Sequence, residues 1–281
     1  LQFERGSSRH TLSAYGTDLH QAADWFSVRG RAGWGDLTEA DLVDFTASLQ
    51  SLAPTSRRRK VSSLRALLKW LKRRGLGPAS ELPSAAEIRL PQRLPKALTF
   101  EDLTRLLEAA DLSQPTGVRD RCLMELLYGT GLRVSEAVGL RMEEIDLERA
   151  AFRVTGKRGK TRVVPLPQHT APWIERYLGE GRPRLLKKPL AQVFVGERGK
   201  PLSRQSAYHV LEQHRRAAGI RTPVSPHTLR HTYAVHLVQG GADLRAVQEL
   251  LGHASIATTQ VYTQLDLATV RANYDKAHPR R

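Results

Sequence analysis

The chain has a single cysteine, Cys122, set among apolar residues of helical pattern. One thiol excludes a disulfide framework and a cysteine metal cluster. No apolar run approaches the roughly 18 residues that a membrane span needs. The first residues carry charge where a signal peptide would have an apolar core. These absences predict a cytoplasmic-type protein with no membrane partner. There is no fixed-period repeat and no low-complexity tract. Acidic residues fail locally as well: none lies between Asp44 and Glu81, where Arg57, Arg58, Arg59, Lys60, Arg65, Lys69, Lys72, Arg73 and Arg74 are all basic. A solvated helix face usually mixes signs, so this imbalance points to phosphates. The whole chain agrees, with 44 basic against 28 acidic residues and a net charge of +16, which implies a polyanionic partner, nucleic acid before membrane.

The 281 residues suit two domains and supply enough apolar side chains for a sizeable core. The first part reads as short helices. Thr11, Leu12, Tyr15 and Leu19 mark one; Ala22, Trp25, Phe26 and Val28 mark its continuation or successor; Thr38 to Asp41 opens another carrying Leu42, Val43, Phe45 and Leu49. Val61, Leu64, Leu67, Leu68 and Leu71 give the basic helix an apolar face. From Gly75 to Lys96 the composition shifts to Gly, Pro and Ser, the mark of an interdomain linker. Thr99 to Asp102 then starts a helix, and residues 118–128 read as a buried one that breaks at Gly129-Thr130-Gly131. Arg133 follows that corner and precedes a short helix, Val134 to Ala137. Two valine-rich runs, 151–155 and 161–165, flank Gly156-Lys157-Arg158-Gly159-Lys160, a hairpin signal with a basic tip. A further apolar run, 192–196, precedes a helix near 203–218, and 265–277 reads as the last helix.

The stretch 225–262 concentrates chemistry-bearing residues. Ser225 is an N-cap with Pro226 at the first helical position, followed by Leu229, Tyr233 and Leu237. His227 and Arg230, three apart, leave the first turn in roughly one direction, where free backbone N–H groups also favour an anion. Gly240-Gly241 ends that helix, Asp243 caps the next, and Gly252 stops it before His253. A phosphodiester attacked by an oxygen nucleophile gains negative charge on its non-bridging oxygens, so guanidiniums and an imidazole donor can stabilise it without a metal. Arg133 and Arg230 are the candidates, since Arg offers a planar fork of donors and keeps its charge. A tyrosine nucleophile must give up a phenolic proton at a cost of about 4 kcal/mol at pH 7, and His227 is placed to accept it. A lysine on a hairpin tip, Lys157, suits protonation of the departing sugar oxygen.

Gly129 to Glu136, Gly156-Lys157, His227-x-x-Arg230, Leu251-Gly252-His253 and Tyr262, in this order and spacing, resemble the tyrosine recombinases, a phage-integrase-like family, with the Xer branch the nearest. The closing His278-Pro279-Arg280 is similar too. The resemblance covers nearly the whole chain. It implies a mainly α (α+β) fold: an N-terminal helical core-binding domain at 1–82, a linker at 83–97, and a larger, mostly helical catalytic domain at 98–281 with a small antiparallel sheet and a C-terminal partner-docking tail. Carried over residue by residue, Arg133 and Arg230 would hold the scissile phosphate, Lys157 would protonate the leaving 5′ oxygen, and His227 would act as acid/base. His253 would hydrogen-bond the phosphate and Tyr262 would form a 3′-phosphotyrosyl intermediate. Arg158 stands where similar proteins often have glycine, which makes Lys160 the alternative general acid. The resemblance implies no cofactor, since neither ATP nor metal is needed at the chemical step. Its partners would be a double-stranded DNA recombination site contacted by Arg57, Arg58, Arg59, Lys60, Arg65, Lys69, Arg158 and Lys160, a homo- or hetero-tetramer with another Xer-type recombinase, and a septal DNA translocase. The task would be resolution of chromosome or plasmid dimers at cell division.

Three other readings stand beside this one. A type IB topoisomerase shares the tyrosine chemistry but relaxes supercoils as a monomer. A non-catalytic, architectural DNA-binding protein would explain the charge alone. His227, His231, His236 and His253 have spacings suited to a metal, although no carboxylate accompanies them as in the helical zinc motif; His231 and His236 read better as helix supports.

Overall fold

A computed structural model describes residues 9–79, 82, 97–155, 161–243, 247 and 251. The chain divides into two compact units, residues 1–93 and 94–281. Helix dominates, with one small antiparallel sheet, so the fold is mainly α, as the sequence predicts.

In the first unit, α1 (Arg9–Ser27) is one continuous helix. A short 3₁₀ turn, Trp34–Asp36, leads to α2 (Glu39–Ser48). The Thr38 side chain accepts from the Asp41 N–H while the Asp41 carboxylate accepts from the Thr38 N–H at 2.8 Å, a reciprocal cap that satisfies two end donors. The Thr38 backbone and side-chain bonds and the nearby Arg31 hold the Asp41 carboxyl below its ordinary range. In α3 (Pro54–Lys72), Pro54 occupies the first turn and Val61, Leu64, Leu68 and Leu71 form the buried stripe. The core is aromatic at its centre: Trp25, Phe26 and Phe45 pack with ring centroids 5.1–5.4 Å apart, and Trp34 meets Phe26. Two residues expected on core faces are not there, for Val28 is 85% exposed and Val43 is also exposed. Val28 lies beyond the last turn of α1, and the α2 stripe runs through Leu42, Phe45 and Leu49 instead.

The second unit is built around α5 (Pro115–Thr130), preceded by α4 (Phe100–Glu108), whose Thr99 cap accepts from the Asp102 N–H. Every residue of α5 from Gly117 to Thr130 is buried. The helix ends within the Gly129-Thr130-Gly131 corner, as the sequence predicts, with Thr130 its last residue and Gly131 its cap at φ 60°. Gly129 is instead a point of close approach, where a Cβ would collide with Thr170 Oγ1. A six-residue α6 (Val134–Gly139) follows, then β1 (Ile145–Asp146), β2 (Ala151–Thr155) and β3 (Thr161–Pro165), antiparallel in that order. After α7 (Ala171–Arg176), a π turn (Tyr177–Gly181) and α8 (Arg182–Leu185), the apolar run 192–196 makes only isolated bridges. Side chains take up several of its backbone groups: Arg182 donates to the carbonyls of Leu190, Gln192 and Val193, Tyr177 Oη bridges Val193 O and Val195 N–H, and Arg119 donates to Val195 O, while Val193 N–H, Phe194 O and Gly196 N–H pair with the main chain of Leu140, Leu202 and Lys200. α9 (Arg204–Ala217) is capped by Ser203, and α10 (Pro226–Gln239) by a Ser225–Thr228 box. The final helix expected at 265–277 and most of the helix after Asp243 lie outside the described residues.

Candidate active site

Two segments of the second unit meet at one carboxylate, and a third places a charge near it. Arg133, the N-cap of α6, is half-exposed, and its Nη1 donates to Glu136 Oε1 at 3.0 Å while its backbone N–H donates to Oε2 at 2.9 Å. Arg162 of β3 grips the same carboxylate with both terminal nitrogens, at 2.9 and 3.0 Å. Burial works to raise the Glu136 carboxyl, but the Arg162 hydrogen bonds, the Arg133 N–H and the two positive charges outweigh it and hold it below the usual range.

Arg230 arrives from the inner face of α10. It is buried, and its guanidinium donates to Gly131 O at 2.5 Å and Leu251 O at 2.6 Å. Gly131 is constrained twice here, by its left-handed backbone and by Tyr233, whose ring would lie 2.5 Å from a Cβ. Burial, and then the charge of Arg133, pull Arg230 down to about 10, so at neutral pH it stays charged. Three guanidiniums, Arg133, Arg162 and Arg230, thus act on one another around a single carboxylate, a local sum of +2. Such a cluster is relieved by an anion, and the two carbonyls leave Arg230 further donors of its five for a ligand.

His227 stands in the first turn of α10 and is exposed, so it does not share the buried surroundings of Arg230. His236 is committed within the core: its ring bonds Tyr128 Oη and Leu98 O, each at 3.0 Å. Since a carbonyl only accepts, Nε2 carries the proton and Tyr128 O–H donates to Nδ1. Among the described residues no group of three or more His, Cys, Asp or Glu side chains is arranged to hold a metal. Lys157, Arg158, Lys160, His253 and Tyr262 lie outside the described residues. In the first unit, Arg58 and Lys69 of α3 are exposed, and Arg57 and Arg65 are half-buried. Arg59 and Lys60 bind Asp18 of α1, at 2.6 and 3.1 Å.

Sequence reasoning gives no site role to Glu136 or Arg162. The Arg133–Glu136 spacing of three is a readable local signal. Arg162 carries a subtler one, a charge at the inward position of an alternating strand. A groove of about 410 Å³, lined by Val134, Ser203, Arg204, Gln205 and Tyr208, also opens beside α6 and the start of α9.

The fold and this cluster define a class: a two-unit, mainly helical chain whose larger unit holds converging arginines suited to a phosphate. Comparison with known proteins narrows it. Residues 96–268 match the Phage integrase family and residues 1–75 match the Phage integrase, N-terminal SAM-like domain. The Tyrosine recombinase XerD of Ralstonia nicotianae is 41% identical over 285 residues, covering 100% of this chain and 92% of that protein. The Tyrosine recombinase XerD of Corynebacterium glutamicum is 38% identical over 290 residues, covering 100% and 95%. A crystal structure of XerH site-specific recombinase bound to difH substrate, a pre-cleavage complex, aligns with a TM-score of 0.68 at 26% identity over 96% of this chain and 77% of that one. The chain belongs to the phage integrase family of tyrosine recombinases, in its Xer branch. It is accordingly an enzyme, a tyrosine site-specific recombinase. Among the described residues no helix is long and apolar enough to cross a membrane.

Proposed function

We propose that the enzyme cuts and rejoins double-stranded DNA at a recombination site through a 3′-phosphotyrosyl intermediate, with residues 1–82 as core-binding domain, 83–97 as linker and 98–281 as catalytic domain. The observation that carries the chemistry is the cluster of Arg133 and Arg230 around Glu136, which supplies fixed positive charge where a phosphate gains negative charge. Tyr262 Oη attacks the scissile phosphorus and displaces the 5′ oxygen, which Lys157 protonates, or Lys160 in its place. His227 takes the phenolic proton and His253 hydrogen-bonds the phosphate. The covalent link conserves the bond energy, so a 5′ hydroxyl from a second strand reverses the step on a new partner. Arg133 and Arg230 help Tyr262 as well, because nearby positive charge offsets part of the roughly 4 kcal/mol needed to ionise a tyrosine at pH 7. Arg57, Arg58, Arg59, Lys60, Arg65, Lys69, Arg158 and Lys160 contribute backbone-phosphate contacts. By family, the working assembly is a homo- or hetero-tetramer of Xer-type recombinases on DNA in the cytoplasm, its tail 265–281 docking on a neighbouring subunit. Its task is resolution of chromosome or plasmid dimers at cell division, with a septal DNA translocase as activator.

A nicked suicide duplex carrying a candidate site tests this, incubated in EDTA and resolved on a denaturing gel. Wild type is expected to give a covalent protein–DNA band that Tyr262→Phe lacks. An identical band from both proteins would remove Tyr262 from its role. Relaxation of plain plasmid without synapsis would move the reading to a topoisomerase.

A further inference from the structure

Arg162 stands where strand geometry calls for an apolar side chain. In the β2–β3 register Val154 lies opposite Arg162 and Phe152 opposite Val164. Residues directly across an antiparallel pair project to one face, and Phe152, Val154 and Val164 are all buried, so Arg162 lies on the core-facing side. Its side chain is only 18% exposed, and both terminal nitrogens are spent on Glu136. Glu136 is the same carboxylate that holds the backbone and side chain of Arg133. One carboxylate therefore joins β3, which follows residues 156–160 in sequence, to the first turn of α6.

We propose that Arg162 is a positioning residue for strand cleavage: its two-pronged grip on Glu136 sets the orientation and effective charge of Arg133 toward the scissile phosphate, and anchors β3 to α6. The proposal rests on the assignment of Arg133 as a phosphate-binding residue made above. The physical argument is charge balance. With Arg162 present, the negative charge of Glu136 is shared between two guanidiniums, and Arg133 keeps attraction to spare for a phosphate. Without it, Glu136 and Arg133 form a plain ion pair whose charges cancel, and Arg133 is drawn back onto the protein. Lysine replaces the charge but not the bidentate fork.

The test is single-turnover cleavage of the nicked duplex by the full chain at saturating enzyme, using wild type, Arg162→Ala, Arg162→Lys and Arg133→Ala. Two substrates are compared, an ordinary scissile phosphodiester and an uncharged methylphosphonate in its place. On the phosphodiester, Arg162→Ala is expected to slow cleavage about 100-fold, the scale of a misplaced positioning group, with DNA affinity within about twofold of wild type. Arg162→Lys should recover part of the rate, to about tenfold below wild type. On the methylphosphonate, where less negative charge develops, the deficits of Arg133→Ala and Arg162→Ala should shrink together to about threefold. A merely structural role would slow both substrates alike, and that result overturns the proposal, as does wild-type cleavage by Arg162→Ala. If Arg133→Ala itself cleaves normally, the active-site assignment fails first and takes the proposal with it. Should circular dichroism show Arg162→Ala unfolded, Arg162→Lys carries the same two-substrate comparison, and an equal loss on both substrates sinks the idea.

Discussion

The two units treat charge in opposite ways. Among the described residues, the first unit buries two carboxylates, Asp18 and Asp41, and of the cations they hold Arg31 and Arg59 reach toward solvent while Lys60 is largely covered. The second buries Arg119, Asp120, Arg121, Glu125, Glu136 and Arg230, together with His214 and His236. A surface that meets a polyanion keeps its cations hydrated and mobile, where salt screens them and no desolvation is due. A site that stabilises a developing charge needs fixed cations out of water, where Coulomb interactions are stronger but an unpaired partner is costly. The contrast lies in burial, and it matches the roles proposed for the two units.

The same substitution in each unit would sharpen that contrast most. Asp120 is buried between Arg119, whose Nη2 lies 2.7 Å away, and His214 at 3.1 Å. Asp120→Ala strands a buried guanidinium and should cost about 3–5 kcal/mol. Asp18→Ala releases Arg59, 42% exposed and able to turn to water, and Lys60, 13% exposed, which keeps Gln21 as a partner, so about 1 kcal/mol is expected. Amide hydrogen exchange in peptides from α5 and α1 reads the two losses separately; equal losses would erase the distinction. Acid should also strike the second unit through His236. Burial lowers this imidazole below its ordinary value, against the pull of Leu98 O. The unfolded chain therefore takes up the proton first, and stability present above about pH 6.5 is lost as pH falls toward the folded value. Urea midpoints at pH 7.5 and 5.5 should separate in wild type and draw closer in His236→Gln.

Local signals are readable without coordinates, and long-range ones are not. Thr38, Thr99, Ser203 and Ser225 announce helices because a cap and its N–H are three residues apart, and β2 and β3 announce a hairpin because only five residues separate them. Arg133 and Arg230 stand out as residue types beside helix ends. Glu136 gripping Arg162, 26 positions away, or Asp120 meeting His214, 94 positions away, leaves no local pattern. The Gly129-Thr130-Gly131 corner announces the end of α5, but that Gly131 makes the left-handed turn while Gly129 permits close approach to Thr170 leaves no local pattern. Residues 192–196 are legible only as an apolar run; the distant groups that take its backbone, Arg182 and Tyr177 side chains beside Leu140, Lys200 and Leu202 main chain, leave no local pattern.

The basic run of α3 makes the finest division, because its cations are of two kinds. Arg58 and Lys69 are exposed, whereas Arg59 and Lys60 already serve Asp18. Replacing Arg58 and Lys69 by alanine should leave stability within about 0.5 kcal/mol, yet lower DNA affinity and reduce the slope of log affinity against log salt by roughly 0.9 for each phosphate no longer neutralised. Lys60→Ala should do the reverse, loosening α1 on α3 while the salt slope stays put. Titrations of a site duplex at several salt concentrations separate these outcomes. If Lys60→Ala lowers the slope as much as Arg58→Ala, then DNA competes Lys60 away from Asp18, and the ion pair is a resting place for a phosphate-binding cation. An unchanged slope with reduced stability makes Asp18 the reason that Lys60 turns inward, so that the exposed cations of the run are left for the polyanion.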